Sequence, residues 1–152
     1  MSTNVVTQAA VQPKSADYRM TVVVDGGFKP NDLFFKAYGS YAVVRGGKVV
    51  KHDHTGFPTL LTCQQSEVGI VGWALKGLAE AIKEAGMCSP GDVKVTVKTD
   101  SQLVVGYFNG TFKRKEPALV RIAGRVDEII AQYKGVEFVK VPRKEVVKVL
   151  GH

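Results

Sequence analysis

The sequence predicts an α/β domain built on a five-stranded mixed sheet flanked by helices. Two observations carry this. Three strand-like runs stand in series near the start, joined by short turns, which is the pattern of an antiparallel meander. Two further strand-like runs then alternate with helical patterns, the arrangement of parallel strands joined by crossovers. Right-handed crossovers would place the fourth strand beside the first.

The elements follow in chain order. Residues 1–18 have no periodicity and little apolar bulk, so they are expected to be a disordered leader to a single domain at 19–152. Met20-Thr21-Val22-Val23-Val24-Asp25 reads as the first strand, and Gly26-Gly27-Phe28-Lys29-Pro30-Asn31 as the turn after it. Ala37–Arg45 and Lys48–Gly56 are the second and third strands, hinged at Gly46-Gly47. Pro58–Gln65 reads as a loop. A long helix is expected from about Ser66 to Ala85, with Val68, Val71, Leu75, Leu78 and Ile82 on one face and Gly86 ending it. Val93–Thr99 alternates as a fourth strand. A short helix from Ser101 to Phe108 stops at Asn109-Gly110. Lys113-Arg114-Lys115 is a basic turn before a helix at Pro117–Tyr133, striped by Leu119, Ile122, Val126, Ile129, Ile130 and Tyr133. Val136–Val141 is the fifth strand, Pro142-Arg143 breaks it, and the last ten residues suit a short terminal helix.

Composition narrows the class. The chain has 152 residues, 45% hydrophobic and 23% charged, as an ordinary globular domain does. No run approaches the ~18 apolar residues of a membrane span, and Met1–Ser15 lacks the apolar core of a signal peptide. Cys63 and Cys88 are far apart and suggest free thiols in a reducing, cytoplasmic setting. The net charge of +7 favours a polyanionic partner without specifying one. Nothing points to a protein partner, so a monomer is expected.

Three acidic residues stand at element ends. Asp25 closes the first strand, Glu67 opens the long helix, and Asp100 follows the fourth strand directly before a helix. The carboxyl ends of strands are where open α/β sheets place their sites. Hard divalent cations take carboxylate oxygens, and carboxylates gathered without a cation repel one another.

These residues resemble the type 1 ribonuclease H family from about Met20 onward. The resemblance rests on Asp25-Gly26-Gly27 followed by Asn31, a glutamate at the start of the long helix, Thr99-Asp100-Ser101-Gln102-Leu103-Val104-Val105 with Asn109-Gly110 after it, and Val141-Pro142-Arg143, as in short members without a basic protrusion. It implies the ribonuclease H-like sheet, order 3-2-1-4-5. It also implies two-metal hydrolysis of the RNA strand of RNA–DNA hybrids, leaving 5′-phosphate ends. Asp25, Glu67 and Asp100 would hold two Mg²⁺ or Mn²⁺ ions roughly 4 Å apart. The substrate contacts it implies are Gly26, Gly27, Asn31, Gln64, Gln65 and Gln102, with Lys113, Arg114, Lys115 and Arg143 toward phosphates. Hybrids are read through groove shape and 2′-hydroxyls, and phosphate contacts position without specifying.

The chain departs from the family at the fourth ligand, usually an aspartate on the last helix. A gapless alignment puts Leu150 there. A two-residue shift brings in His152, whose imidazole or terminal carboxylate would ligate, and imidazole suits Mn²⁺ better than Mg²⁺. Otherwise the ligand is lost, and the chain could be a catalytically weak nucleic-acid-binding module. A nuclease for double-stranded RNA or DNA junctions is the third reading. Among the other residues, His52 and His54 lack a third ligand. Trp73, Phe108, Phe112 and Cys63 are expected to be packing residues.

Overall fold

The computed structural model describes residues 18–151, so the expected leader up to residue 17 and His152 lie outside the described residues. Its strands are β1 (Arg19–Phe28), β2 (Ala37–Arg45), β3 (Lys48–Phe57), β4 (Lys94–Thr99) and β5 (Gly135–Lys140). Its helices are α1 (Cys63–Ala85), α2 (Gln102–Asn109), α3 (Pro117–Ile130) and α4 (Arg143–Leu150). The sheet order is β3-β2-β1-β4-β5. The meander pairs antiparallel, and β1, β4 and β5 run parallel. This is the predicted architecture, with strands one and four side by side. None of the helices among the described residues is long and apolar enough to cross a membrane.

Strand alternation sorts the core into two layers. Val22 and Val24 of β1, Tyr41 and Val43 of β2, and Val95 and Val97 of β4 bury against α1, together with Leu119, Ala123 and Val126 of α3. Val23, Ala42 and Val141 face the other way and are covered by Val146 and Leu150 of α4. The predicted α1 stripe of Val68, Val71, Leu75, Leu78 and Ile82 is wholly buried. The Tyr133 hydroxyl donates to the Leu75 carbonyl beneath α3.

Three boundaries differ from expectation. β1 continues to Phe28, because the glycines read as a turn pair in register, Gly26 with Gly39 and Gly27 with Tyr38. α3 stops at Ile130, and Gln132 and Tyr133 close a final turn onto the Ile129 and Ile130 carbonyls. α1 starts at Cys63, so Gln64 and Gln65 lie on its first turn rather than in a loop. Its cap was present in the sequence: Thr62-Cys63-Gln64-Gln65 has the spacing of a capping box. Thr62 Oγ1 accepts from the Gln65 N–H at 3.0 Å. Removing that acceptor with Thr62→Ala is expected to cost about 1 kcal/mol in urea unfolding.

Three packing expectations are corrected. Trp73 is 43% exposed and donates from Nε1 to Asp53 Oδ2 at 3.3 Å, because its position falls outside the buried α1 stripe. Cys63 is exposed on the first turn of α1. Of the two phenylalanines near the basic turn, Phe108 stacks on Phe138 with centroids 4.8 Å apart. Phe112, against expectation, stays partly exposed while its ring fills the space beside Gly106.

Candidate active site

Parallel pairing of β1 and β4 brings their carboxyl ends to one rim of the sheet. Asp25 stands there on β1, buried, and Asp100 follows Thr99 at the end of β4. Gly26 sets the third element. A Cβ on Gly26 would meet the backbone of Ser66 and Glu67, so α1 lies directly against β1 at this point. That contact delivers Glu67 to the same rim.

Short hydrogen bonds fix the turn between β4 and α2. Thr99 Oγ1 accepts from the Ser101 N–H at 3.0 Å. Ser101 Oγ caps α2 by accepting from the Val104 N–H at 3.2 Å, and donates to Glu67 Oε1 at 3.1 Å. Ser101 therefore ties the Asp100 turn to the Glu67 side chain, a role the sequence reading did not assign it. Cys63 Sγ lies 3.9 Å from the other Glu67 oxygen. Although Cys63 is exposed, partial desolvation pushes its thiol up, and the neighbouring Glu67, Asp25 and Asp100 charges push it further.

Burial also raises the Glu67 carboxyl above its ordinary 4.5. The Ser101 hydrogen bond opposes this, while the charges of Asp100 and Asp25 add to it. A carboxylate raised by folding stabilises the fold below its unfolded pKa, and that contribution is lost as pH rises through the folded value. Without divalent metal, Glu67→Gln is therefore expected to gain stability over wild type as pH climbs above 4.5. The gain should vanish in more acidic solution, as thermal unfolding in chelator across pH would read.

Arg143, first residue of α4, completes the cluster. Its Nη1 lies 2.7 Å from Asp25 Oδ1 and 3.4 Å from Asp100 Oδ2. The hydrogen bond to Asp25, then the charges of the two acids, hold its proton more firmly than water would. Lys98 of β4 pairs with Glu145 at 3.1 Å and pins the first turn of α4 beside it. In kind, the three carboxylates suit a hard divalent cation. As they stand, with the guanidinium between two of them, no three acidic, histidine or cysteine side chains among the described residues gather closely enough to hold a metal ion. A cation entering here would have to displace Arg143 from Asp25 or Asp100.

The remaining predicted residues distribute unevenly. Gln102 is exposed on the first turn of α2, next to Ser101. Gln64 is exposed, whereas Gln65 is buried and its Oε1 accepts from the Leu61 N–H at 2.8 Å. Asn31 is exposed in the β1–β2 loop. Lys113 and Lys115 are exposed between α2 and α3. Arg114 is bound within the fold: its guanidinium pairs with Asp127 of α3 and donates to the Tyr107 carbonyl at 3.3 Å. His54 Nδ1 pairs with Ser40 Oγ at 2.7 Å.

Strand order, helix placement and the acidic rim together define a ribonuclease H-like fold, the fold that the sequence motifs implied. Solved structures agree. The chain resembles the N-terminal ribonuclease H domain of a Mycobacterium tuberculosis protein, with TM-score 0.70, 20% identity and 88% of each chain covered. It resembles RNase H1 of the halophilic archaeon Halobacterium salinarum with TM-score 0.65 and 22% identity, covering 86% of this chain and 91% of that one. LC11-RNase H1 in complex with an RNA/DNA hybrid gives TM-score 0.71 and 20% identity, covering 86% and 90%. No protein-family profile and no curated protein sequence matches the chain.

Proposed function

We propose that the protein is a type 1 ribonuclease H, an endoribonuclease that hydrolyses the RNA strand of RNA–DNA hybrids with divalent metal. The observation that carries this reading is the meeting of Asp25, Glu67 and Asp100, from three separate elements, at one rim of this fold. A fold neighbour binds an RNA/DNA hybrid, and the net charge of +7 suits a polyanion.

Asp25, Glu67 and Asp100 would hold two Mg²⁺ or Mn²⁺ ions. When bound, such ions stabilise charge on the phosphate oxygens and help to activate the attacking water. Gly26 admits the α1 backbone and Gly27 the Tyr38 ring, so any contact they make with substrate would be through main-chain atoms, and Ser101 holds one oxygen of Glu67. Arg143 released from the acids becomes a cation free to meet a phosphate. Gln102 and Gln64, both exposed, would reach a groove, and exposed Lys113 and Lys115 would reach phosphates. Buried Gln65 acts by positioning the start of α1. His152 remains a proposed fourth ligand.

The seat of Arg143 between Asp25 and Asp100 favours one second reading, a module that binds hybrids and cuts them weakly or not at all. A gel assay separates the two. It uses end-labelled hybrid, double-stranded RNA and a DNA junction, each with Mg²⁺ and with Mn²⁺. Hybrid-specific RNA cleavage leaving 5′-phosphates is the expected result. Tight, salt-sensitive hybrid binding without turnover in either metal would establish the second reading.

A further inference from the structure

The β1–β2 loop presents an aromatic tip that catalysis at the acidic rim does not use. Leu33 is 91% and Phe34 84% exposed. A phenylalanine left in water forgoes the gain from burial, yet this loop is built to hold it out. The Lys29 N–H donates to the Lys36 carbonyl at 2.6 Å, closing the loop at its base. Asp32 Oδ1 accepts from the Phe34 and Phe35 N–H groups, both at 2.9 Å, closing it at its tip. The one acidic side chain here is thereby engaged within the loop.

Beside the tip lies a groove of about 440 Å³ bordered by Lys29, Asp32, Phe34, Phe35, Tyr38 and His54. Its floor depends on two missing side chains. The Phe35 ring occupies the space over Gly56, and the Tyr38 ring that over Gly27. Lys29 Nζ sits 4.9 Å from the Tyr38 ring centroid, and the His54 ring centroid lies 6.0 Å from it. Strand register ties this groove to the acidic rim. Asp25 pairs with Ser40 and Ser40 with His54, so His54 stands two strand spacings, roughly 10 Å, from Asp25 on the same face. The next row on that face is Gly27, Tyr38 and Gly56.

We propose that this groove binds a single-stranded stretch of nucleic acid continuing from the duplex at the acidic rim. Its bases stack on Phe34, Phe35 and Tyr38, while Lys29 and His54 face its phosphates. Exposed aromatic rings interleaved with cations are the recipe for sequence-tolerant single-strand binding. Lys29 and His54 offer the groove's cationic and donor groups to a polyanion, Asp32 being taken up by the Phe34 and Phe35 N–H groups, and register continuity with Asp25 makes the strand at the site its natural occupant. The proposal rests on the nuclease reading for the identity of that duplex.

Fluorescence anisotropy in chelator tests it on the full chain, with a blunt hybrid and the same hybrid carrying single-stranded tails of about ten nucleotides at either end. The wild type is expected to bind the better tailed hybrid about tenfold or more tighter than the blunt one. That ratio should fall to about one in Phe34→Ala and return in Phe34→Trp. Because Phe34 is exposed, circular dichroism of both variants should match wild type. A ratio near one in wild type, or an undiminished ratio in Phe34→Ala, would overturn the proposal. Tail-dependent binding together with failure to cut any hybrid in Mg²⁺ or Mn²⁺ would support the groove and count against the nuclease reading.

Discussion

Asp100→Asn is expected to lower hybrid cleavage by about a thousandfold or more in either metal, with circular dichroism unchanged. The size follows from the chemistry. A bound divalent ion contributes several kcal/mol of charge stabilisation in phosphodiester hydrolysis, and each 1.36 kcal/mol is a factor of ten. Asparagine keeps the shape of aspartate and one carbonyl oxygen but removes the charge that would attract the ion. The fold should tolerate the change, because Asp100 is only partly buried and pairs with Arg143 at 3.4 Å, which keeps Asp25 at 2.7 Å. Single-turnover cleavage of a labelled hybrid is the measurement. A rate within a few-fold of wild type would move the chemistry away from this rim.

Gly26→Ala is expected to damage both stability and activity, through backbone rather than charge. A methyl group on Gly26 would stand 2.5 Å from Ser66 C and O and 2.6 Å from Glu67 N. These are main-chain atoms of a long helix whose next buried residues, Val68, Ile70 and Val71, are fixed in the core. A flexible side chain could swing aside, but α1 must slide as a body. Overpacking of this kind costs about 1–3 kcal/mol. It also carries Glu67 away from Ser101 and the two aspartates, so cleavage should drop by at least about tenfold, the usual sensitivity to an ångström-scale misplacement of a catalytic group. Urea unfolding and hybrid cleavage should fall together. Gly124→Ala on α3 is the control, since nothing lies within 4 Å of its added Cβ. A stable, fully active Gly26→Ala would show that α1 does not set the position of Glu67.

Much of this was legible in the chain. The meander was carried by glycine turns between alternating runs, and the α1 face by a strict helical spacing, both of which report burial directly. Asp25, Glu67 and Asp100 stood out as acids at expected element ends, but β1 runs on to Phe28 and α1 begins at Cys63, so of the three only Asp100 directly follows its strand. What escaped was context. Gly26 and Gly27 carry the local signature of a turn, but cross-strand pairing with Gly39 and Tyr38 overrode it and lengthened β1. Arg114 looks like an exposed base in a Lys-Arg-Lys run, and only the approach of α3 reveals Asp127 as its partner. Arg143 was placed toward phosphates by its motif. That it lies between two acids depends on where α4 crosses the sheet, which no local pattern encodes. Ser101 reads as a helix cap, and its bond to Glu67 spans 34 positions of sequence.

The central claim is that these acids hold divalent cations once Arg143 gives way. Titration of Mn²⁺ monitored by electron paramagnetic resonance, with hybrid present under conditions too brief for turnover, tests it most directly. The account predicts two protein-bound ions in wild type and their loss in the Asp25→Asn, Asp100→Asn double variant. Equal Mn²⁺ binding by both proteins, or none by wild type, would contradict it.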